Sequence, residues 1–208
     1  MAVKEQNLYK VWDGENLNTN NIDFLLKRTK PVTFPLDSNT KQIIKDLKDT
    51  YIAVPCAGIA ANQIGYNARI FVGMEHDHEE SLEEDDKQNI DDVKPRSDNM
   101  EMYINPKILK NSLASTQLGY EGCLSIPEIQ LEVKRFDSIK VSYQNTNGQT
   151  IIKKISKFIS RLFQHELDHL DGKLMIQRQN EDEVKAILPD ENYHDLISKL
   201  NTYTSNKI

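Results

Sequence analysis

Between Glu75 and Glu101 the chain carries twelve acidic residues against Lys87, Lys94 and Arg96. A run so charged has almost nothing to bury, so no fold can place it in a core, and it reads as a solvated insertion between ordered elements. Its local balance of −9 exceeds the −6 of the whole chain and leaves the remainder at +3. The pI of about 5.4 therefore describes the insertion more than the body. The 208 residues suffice for one domain with an appendage. A mean hydropathy of −0.61, with no stretch near the roughly 18 apolar residues of a membrane span, predicts no membrane partner. Two cysteines are too few for a disulfide scaffold, which favours reduced thiols in a cytosol-like compartment. The opening residues mix Lys4 and Lys10 with Glu5, Asp13 and Glu15, unlike a secretory leader or an acid-poor organelle presequence.

On either side of the insertion the patterning is that of an α+β domain with an antiparallel or mixed sheet packed around a central helix. Residues 1–36 are polar, with turns at Pro31 and Pro35, and read as an irregular arm. Asp37 or Ser38 caps a helix with apolar positions Ile43, Ile44, Leu47 and Tyr51, stopped by Pro55. Arg69 to Val72 and Met102 to Leu109 read as extended, the latter interrupted at Asn105-Pro106. Gly119 to Ser125 reads as a small-residue loop. Ile139, Val141 and Tyr143 alternate with polar residues before Asn147-Gly148, a hairpin signal. From Ser156 to about Leu170 the period becomes helical, and a last amphipathic helix runs through Tyr193, Leu196, Ile197 and Leu200. The resulting division is an arm (1–36), a catalytic domain (37–178) with the insertion 75–101, and a tail (179–208).

The chemistry concentrates in Gln164-His165-Glu166-Leu167-Asp168-His169. On a helix, His165 and His169 project from one face and can share a divalent metal, with Glu166 beside them as general base. A catalytic site wants a third protein ligand. His194 and scattered acids lie downstream, but Cys123, in a glycine-containing segment and able to offer a thiolate, is the better candidate. Asp168 is a candidate acceptor for a ring N–H of a ligating histidine, or else a solvent-facing acid. One turn before His165, Phe158, Arg161 and Leu162 form either part of an apolar side pocket or simply core.

Three ordered motifs resemble the peptide deformylase family. Its G-x-G-x-A-A-x-Q, E-G-C-L-S and Q-H-E-x-D-H signatures read here as Cys56 to Gln63, Glu121 to Ser125, and Gln164 to His169, with Ile126-Pro127 and Leu170-Asp171-Gly172 as matching flanks. The likeness spans roughly residues 30 to 178. It implies that Cys123, His165 and His169 hold the metal, Fe(II) natively and Zn(II), Ni(II) or Co(II) in purified material. It implies Glu166 as base and then acid, with Gln63 and the backbone amide of Leu124 as oxyanion donors. Gly58 and Ile59 would lie where the substrate backbone docks, and Glu121 would support the loop beside it. The reaction implied is hydrolysis of the N-formyl group from the formylmethionine of a nascent chain, releasing formate. Two positions depart from the pattern: Cys56 replaces a glycine, and Asn62 replaces the usual small residue or proline.

These departures keep two other readings open, a peptide-binding module with poor turnover and a metallo-amidase acting on another acyl group. Cys56 could also pair with Cys123 on oxidation and remove a metal ligand. His76-Asp77-His78 offers a weak second metal site, although a solvated charge run explains it better. Direct DNA binding is not expected. Transient ribosome contact through the mildly basic body is an expectation that the +3 balance alone does not demonstrate.

Overall fold

The computed structural model describes residues 7–76, 98–111, 115–178 and 185–207. In chain order its elements are α1 (Thr19–Leu25), α2 (Ser38–Ala53), β1 (Gly58–Ala60), β2 (Ile70–Gly73), β3 (Glu101–Asn111), β4 (Thr116–Cys123), β5 (Ile126–Phe136), β6 (Ser138–Gln144), β7 (Thr150–Ser156), α3 (Lys157–Leu170), β8 (Ala186–Ile187) and α4 (Asn192–Ser205). The strands form two sheets, β1-β2-β3-β6-β7 and β4-β5-β8. Every pairing among the described residues is antiparallel, which decides between the antiparallel and mixed alternatives for these sheets.

Local chemistry accounts for the element boundaries. Asp37 Oδ1 accepts the Thr40 N–H at 2.7 Å and starts α2, which buries Ile43, Ile44, Leu47 and Tyr51 and ends two residues before Pro55. In β3, Pro106 cannot donate to the ladder, and the register with β6 shifts between Ile104 and Lys107. Asn105 takes a positive φ of 51° there, and its amide holds Val32 O at 2.7 Å and Gln144 Oε1 at 2.8 Å. The β6–β7 hairpin closes over Gly148, whose φ of 81° suits glycine.

Two cores result. The first lies between the five-stranded sheet, α2 and α3. Phe71 stacks on Tyr103 at 4.4 Å, and Phe163 of α3 meets both edge-on at 5.3 and 5.4 Å. The second joins β5, α4 and the segment before residue 36. Val11, Trp12, Ile22 and Leu25 are buried there with Leu131, Val133, Leu196 and Leu200. The irregular arm expected over residues 1–36 thus contains a helix and part of a core; its apolar residues are too sparse to show a period. Gly119 to Cys123, read as a loop, belongs to strand β4, because cross-strand pairing to β5 overrides the low strand propensity of glycine. The borders of the acidic insertion are also built in. Asn99 Oδ1 accepts from the N–H groups of Glu75 and His76, and Glu101 opens β3. His76 is exposed, whereas Asp77 and His78 lie outside the described residues.

Candidate metal centre and catalytic pocket

Helix α3 carries the two histidines one turn apart, with ring centroids 5.1 Å from each other. Cys123 ends β4, where the register with β5 shifts between Gly122 and Cys123. Such an irregularity re-aims a side chain, and Cys123 Sγ comes within 3.2 Å of His169 Nε2. One ligand atom from each of Cys123, His165 and His169 lies within 4.8 Å of the others. Burial opposes a thiolate at Cys123, but His169 and His165 outweigh it and hold the thiol well below its usual range. His165 Nδ1 is 2.9 Å from Glu121 Oε2, which leaves its Nε2 for a ligand. Two imidazoles and a thiolate converging at this range suit one divalent metal of borderline softness.

Glu166 is buried beside this triad, and its Oε2 has no hydrogen-bond partner among the described residues. Burial pushes its carboxyl up to about 7, against the opposing pull of His165 and His169. Gln63 Oε1 accepts the Ala60 N–H at 2.8 Å, which turns its Nε2 toward Ser125 Oγ at 3.2 Å and Cys123 Sγ at 3.7 Å. Gly58 passes so close to α3 that a Cβ there would stand 2.8 Å from both Glu166 Oε1 and Leu162 Cδ1. Gly58, Gln63, Cys123, His165 and Glu166 line one pocket of ≈ 660 Å³, together with Leu124, Phe158 and Leu162.

Of the metal, catalytic and substrate-binding residues expected from sequence, His169 and Ile59 do not line this pocket; His169 is buried and joins the triad through its ring. Strand alternation sends the side chain of Ile59, fully buried, into the first core. Asp168 is buried but does not serve a histidine. It pairs with Arg135 Nη1 at 2.5 Å and with Arg178, while Glu121 takes the role proposed for it. His169 Nδ1 has no partner among the described residues. His194 is exposed on α4, outside the triad. Neither Cys56 nor Cys123 is in a disulfide, although both line the pocket.

Sequence reading missed the ionic lattice behind the triad. Arg135 is bidentate to Glu121, with Nε to Oε1 and Nη2 to Oε2 both at 2.9 Å. Arg161 Nη1 reaches Glu121 Oε1 at 2.7 Å. Burial alone would raise the carboxyl of Glu121, yet Arg135 and His165 hold it far below the ordinary carboxylate range. The spacing of these residues follows no period, so only a count of buried charge against partners could have pointed to them.

An α+β core that presents a Cys-His-His triad and an adjacent buried glutamate defines a metal-dependent hydrolase. The polypeptide deformylase family model matches residues 15–185. A peptide deformylase of Thermotoga maritima is 38% identical over 154 residues, 74% of this chain and 80% of that protein. One of Dictyoglomus thermophilum is 31% identical over 164 residues, 79% of this chain and 92% of that protein. Among solved structures, the Thermotoga maritima enzyme aligns with a TM-score of 0.60 at 37% identity, covering 76% of this chain and 91% of that one. The Met-Ala-Ser-bound enzyme of Acinetobacter baumannii aligns at 0.61 and 27% identity, covering 76% and 92%. The chain belongs to the peptide deformylase family.

Proposed function

We propose that Glu166, Gln63 and Leu124 carry out, over a metal held by Cys123, His165 and His169, the family's hydrolysis of the N-formyl group from formylmethionyl peptides. The observation that carries this reading is the meeting of the triad with buried Glu166, whose Oε2 has no partner among the described residues, at a pocket lined by Cys123, His165 and Glu166. The bound metal supplies Lewis acidity and brings the pKa of a water toward neutrality. Glu166 Oε2, close to the operating pH in its proton affinity, takes the proton of the attacking water and passes it to the leaving amine. Gln63 Nε2 and the Leu124 N–H meet the charge that develops on the formyl oxygen, each contributing about 3 kcal/mol. Gly58 lets the peptide backbone approach Glu166, Glu121 holds His165, and Phe158 and Leu162 offer the methionine side chain an apolar wall.

Fe(II) is the native metal in this reading, with Zn(II), Ni(II) or Co(II) as replacements, and the site of action is the cytoplasm. Among the described residues no helix is long and apolar enough to cross a membrane. Transient contact with ribosomal RNA is part of the same reading. Lys110, Lys140 and Lys154 are register neighbours across β3, β6 and β7. All three are exposed and make no ion pair among the described residues. A lysine row of this kind repels itself and complements a phosphate backbone.

The test is formate release from formyl-Met-Ala-Ser by anaerobically purified, Fe(II)- or Ni(II)-loaded protein, beside Glu166→Ala. Turnover lost in the variant is the expected result. Hydrolysis of acetyl-Met-Ala-Ser at a similar rate would point to a broader amidase. No turnover with one metal bound per chain would leave a peptide-binding module.

A further inference from the structure

Arg161 stands in the stripe that reads from sequence as pocket wall or core, and it does line the pocket, yet its guanidinium is committed to polar partners. It is buried and directed at the polar atoms of the other sheet. Nη1 donates to Gly119 O at 3.1 Å, Val133 O at 3.0 Å and Glu121 Oε1 at 2.7 Å. Nη2 donates to Gln117 O at 3.2 Å, and Nε lies 3.4 Å from Gln117 Oε1. Gly119 and Val133 are a register pair of β4 and β5. The guanidinium therefore spans the pair, and a Cβ on Gly119 would stand 3.3 Å from Nη2.

The placement matters because the triad is split between two supports. Its imidazoles belong to α3, four and eight residues after Arg161, whereas its sulfur ends β4, which among the described residues has a strand neighbour on one side only. We propose that Arg161 is a positioning residue for the metal centre: it laces α3 to β4, and through Glu121 it fixes the ring of His165. The inference rests on the metal-centre reading given above. Lysine cannot replace the fork, since one ammonium offers three donors from a point and cannot span Gln117, Gly119 and Glu121 together.

The test compares wild type, Arg161→Met and Arg161→Lys for Zn(II) affinity, by competition with a chromophoric chelator, and for the thiolate-to-Co(II) charge-transfer spectrum of Co(II)-loaded protein. Partners that orient a ligating histidine typically change metal affinity by about 10- to 100-fold when removed. Arg161→Met is expected to fall in that range with an altered spectrum, and its kcat for formyl-Met-Ala-Ser to drop more than its KM rises. Arg161→Lys is expected between the two. Wild-type affinity and spectrum in Arg161→Met with native circular dichroism, whatever its Tm, would overturn the proposal and leave a structural role. Should Arg161→Met not fold, Arg161→Lys decides: wild-type affinity overturns the proposal, and weakened affinity with a changed spectrum supports it. Wild type that binds neither metal would instead remove the metal-centre reading, and this proposal with it.

Discussion

The lattice of Glu121, Arg135, Arg161 and Asp168 and the pocket group of Gly58, Gln63 and Glu166 both meet α3 within a turn or so of the same histidines, yet they treat polar atoms in opposite ways. In the lattice each buried charge has at least one opposite partner, and the Glu121 carboxylate accepts from two arginines while holding His165. In the pocket, Glu166 Oε2 has no partner among the described residues, and Gln63 Nε2 makes only long contacts. Burying a carboxylate without a partner costs stability. The difference teaches where the molecule holds still and where it can receive charge: under the function proposed above, the saturated side would fix ligand positions and the unsaturated side would keep groups ready for a proton and an oxyanion.

Substitution at Glu166 should break the comparison most visibly. Glu166→Gln is expected to lower kcat for formate release by about 10²- to 10⁴-fold, the range for a lost general acid–base, with one metal still bound per chain. The same change should not destabilise the metal-free protein. A carboxyl whose folded pKa is about 7 against 4.5 unfolded costs the fold nothing below pH 4.5 and an increasing amount as pH rises through 7, on the order of 3 kcal/mol at the limit. Urea unfolding of the metal-free pair should show the variant gaining on wild type between pH 5 and pH 8; a gap that shrinks over that interval would contradict this.

Glu121→Ala should do the reverse on stability. Two buried guanidinium groups lose their shared carboxylate, a loss of about 3–5 kcal/mol, seen as a fall in the urea midpoint at constant m-value. Gly58→Ala sharpens the boundary between the regions. The added methyl meets Glu166 and Leu162 at 2.8 Å, so a cost of about 1–3 kcal/mol should accompany a larger loss in kcat/KM than in metal affinity. Asp37→Ala touches neither region. It should remove about 1 kcal/mol of cap energy, read as a lower Tm with unchanged turnover.

How much of this was legible in the sequence depended on whether a feature repeats. The periods of α2, α3, α4 and the β6–β7 hairpin leave their mark along the chain, and the His165–His169 spacing depends only on one helical turn. Cys123 was legible as a ligand through its chemistry and the family motif, but its strand setting was not, because a glycine-rich segment becomes β4 only when β5 is beside it. The lattice was illegible for a related reason. Glu121 meets Arg135 across a strand pair and Arg161 from a distant helix, and nothing local distinguishes these arginines from solvated ones. Trp12 and Val11 were missed because a core contributed by a few apolar residues in irregular backbone has no period to find.

One consequence follows for anyone who handles this protein. The Tyr9 N–H donates to Gln63 O and the Val11 N–H to Ser125 O, both at 2.8 Å, so the segment bridges the backbone of Gln63 and the end of the Cys123 motif. Leu8 and Lys10 themselves line the pocket. Cleavage or trimming past Leu8 removes part of the pocket wall and then the bridge. Inactivity of a preparation nicked ahead of Val11 would therefore be evidence about a lost wall and bridge before it is evidence about the chemistry.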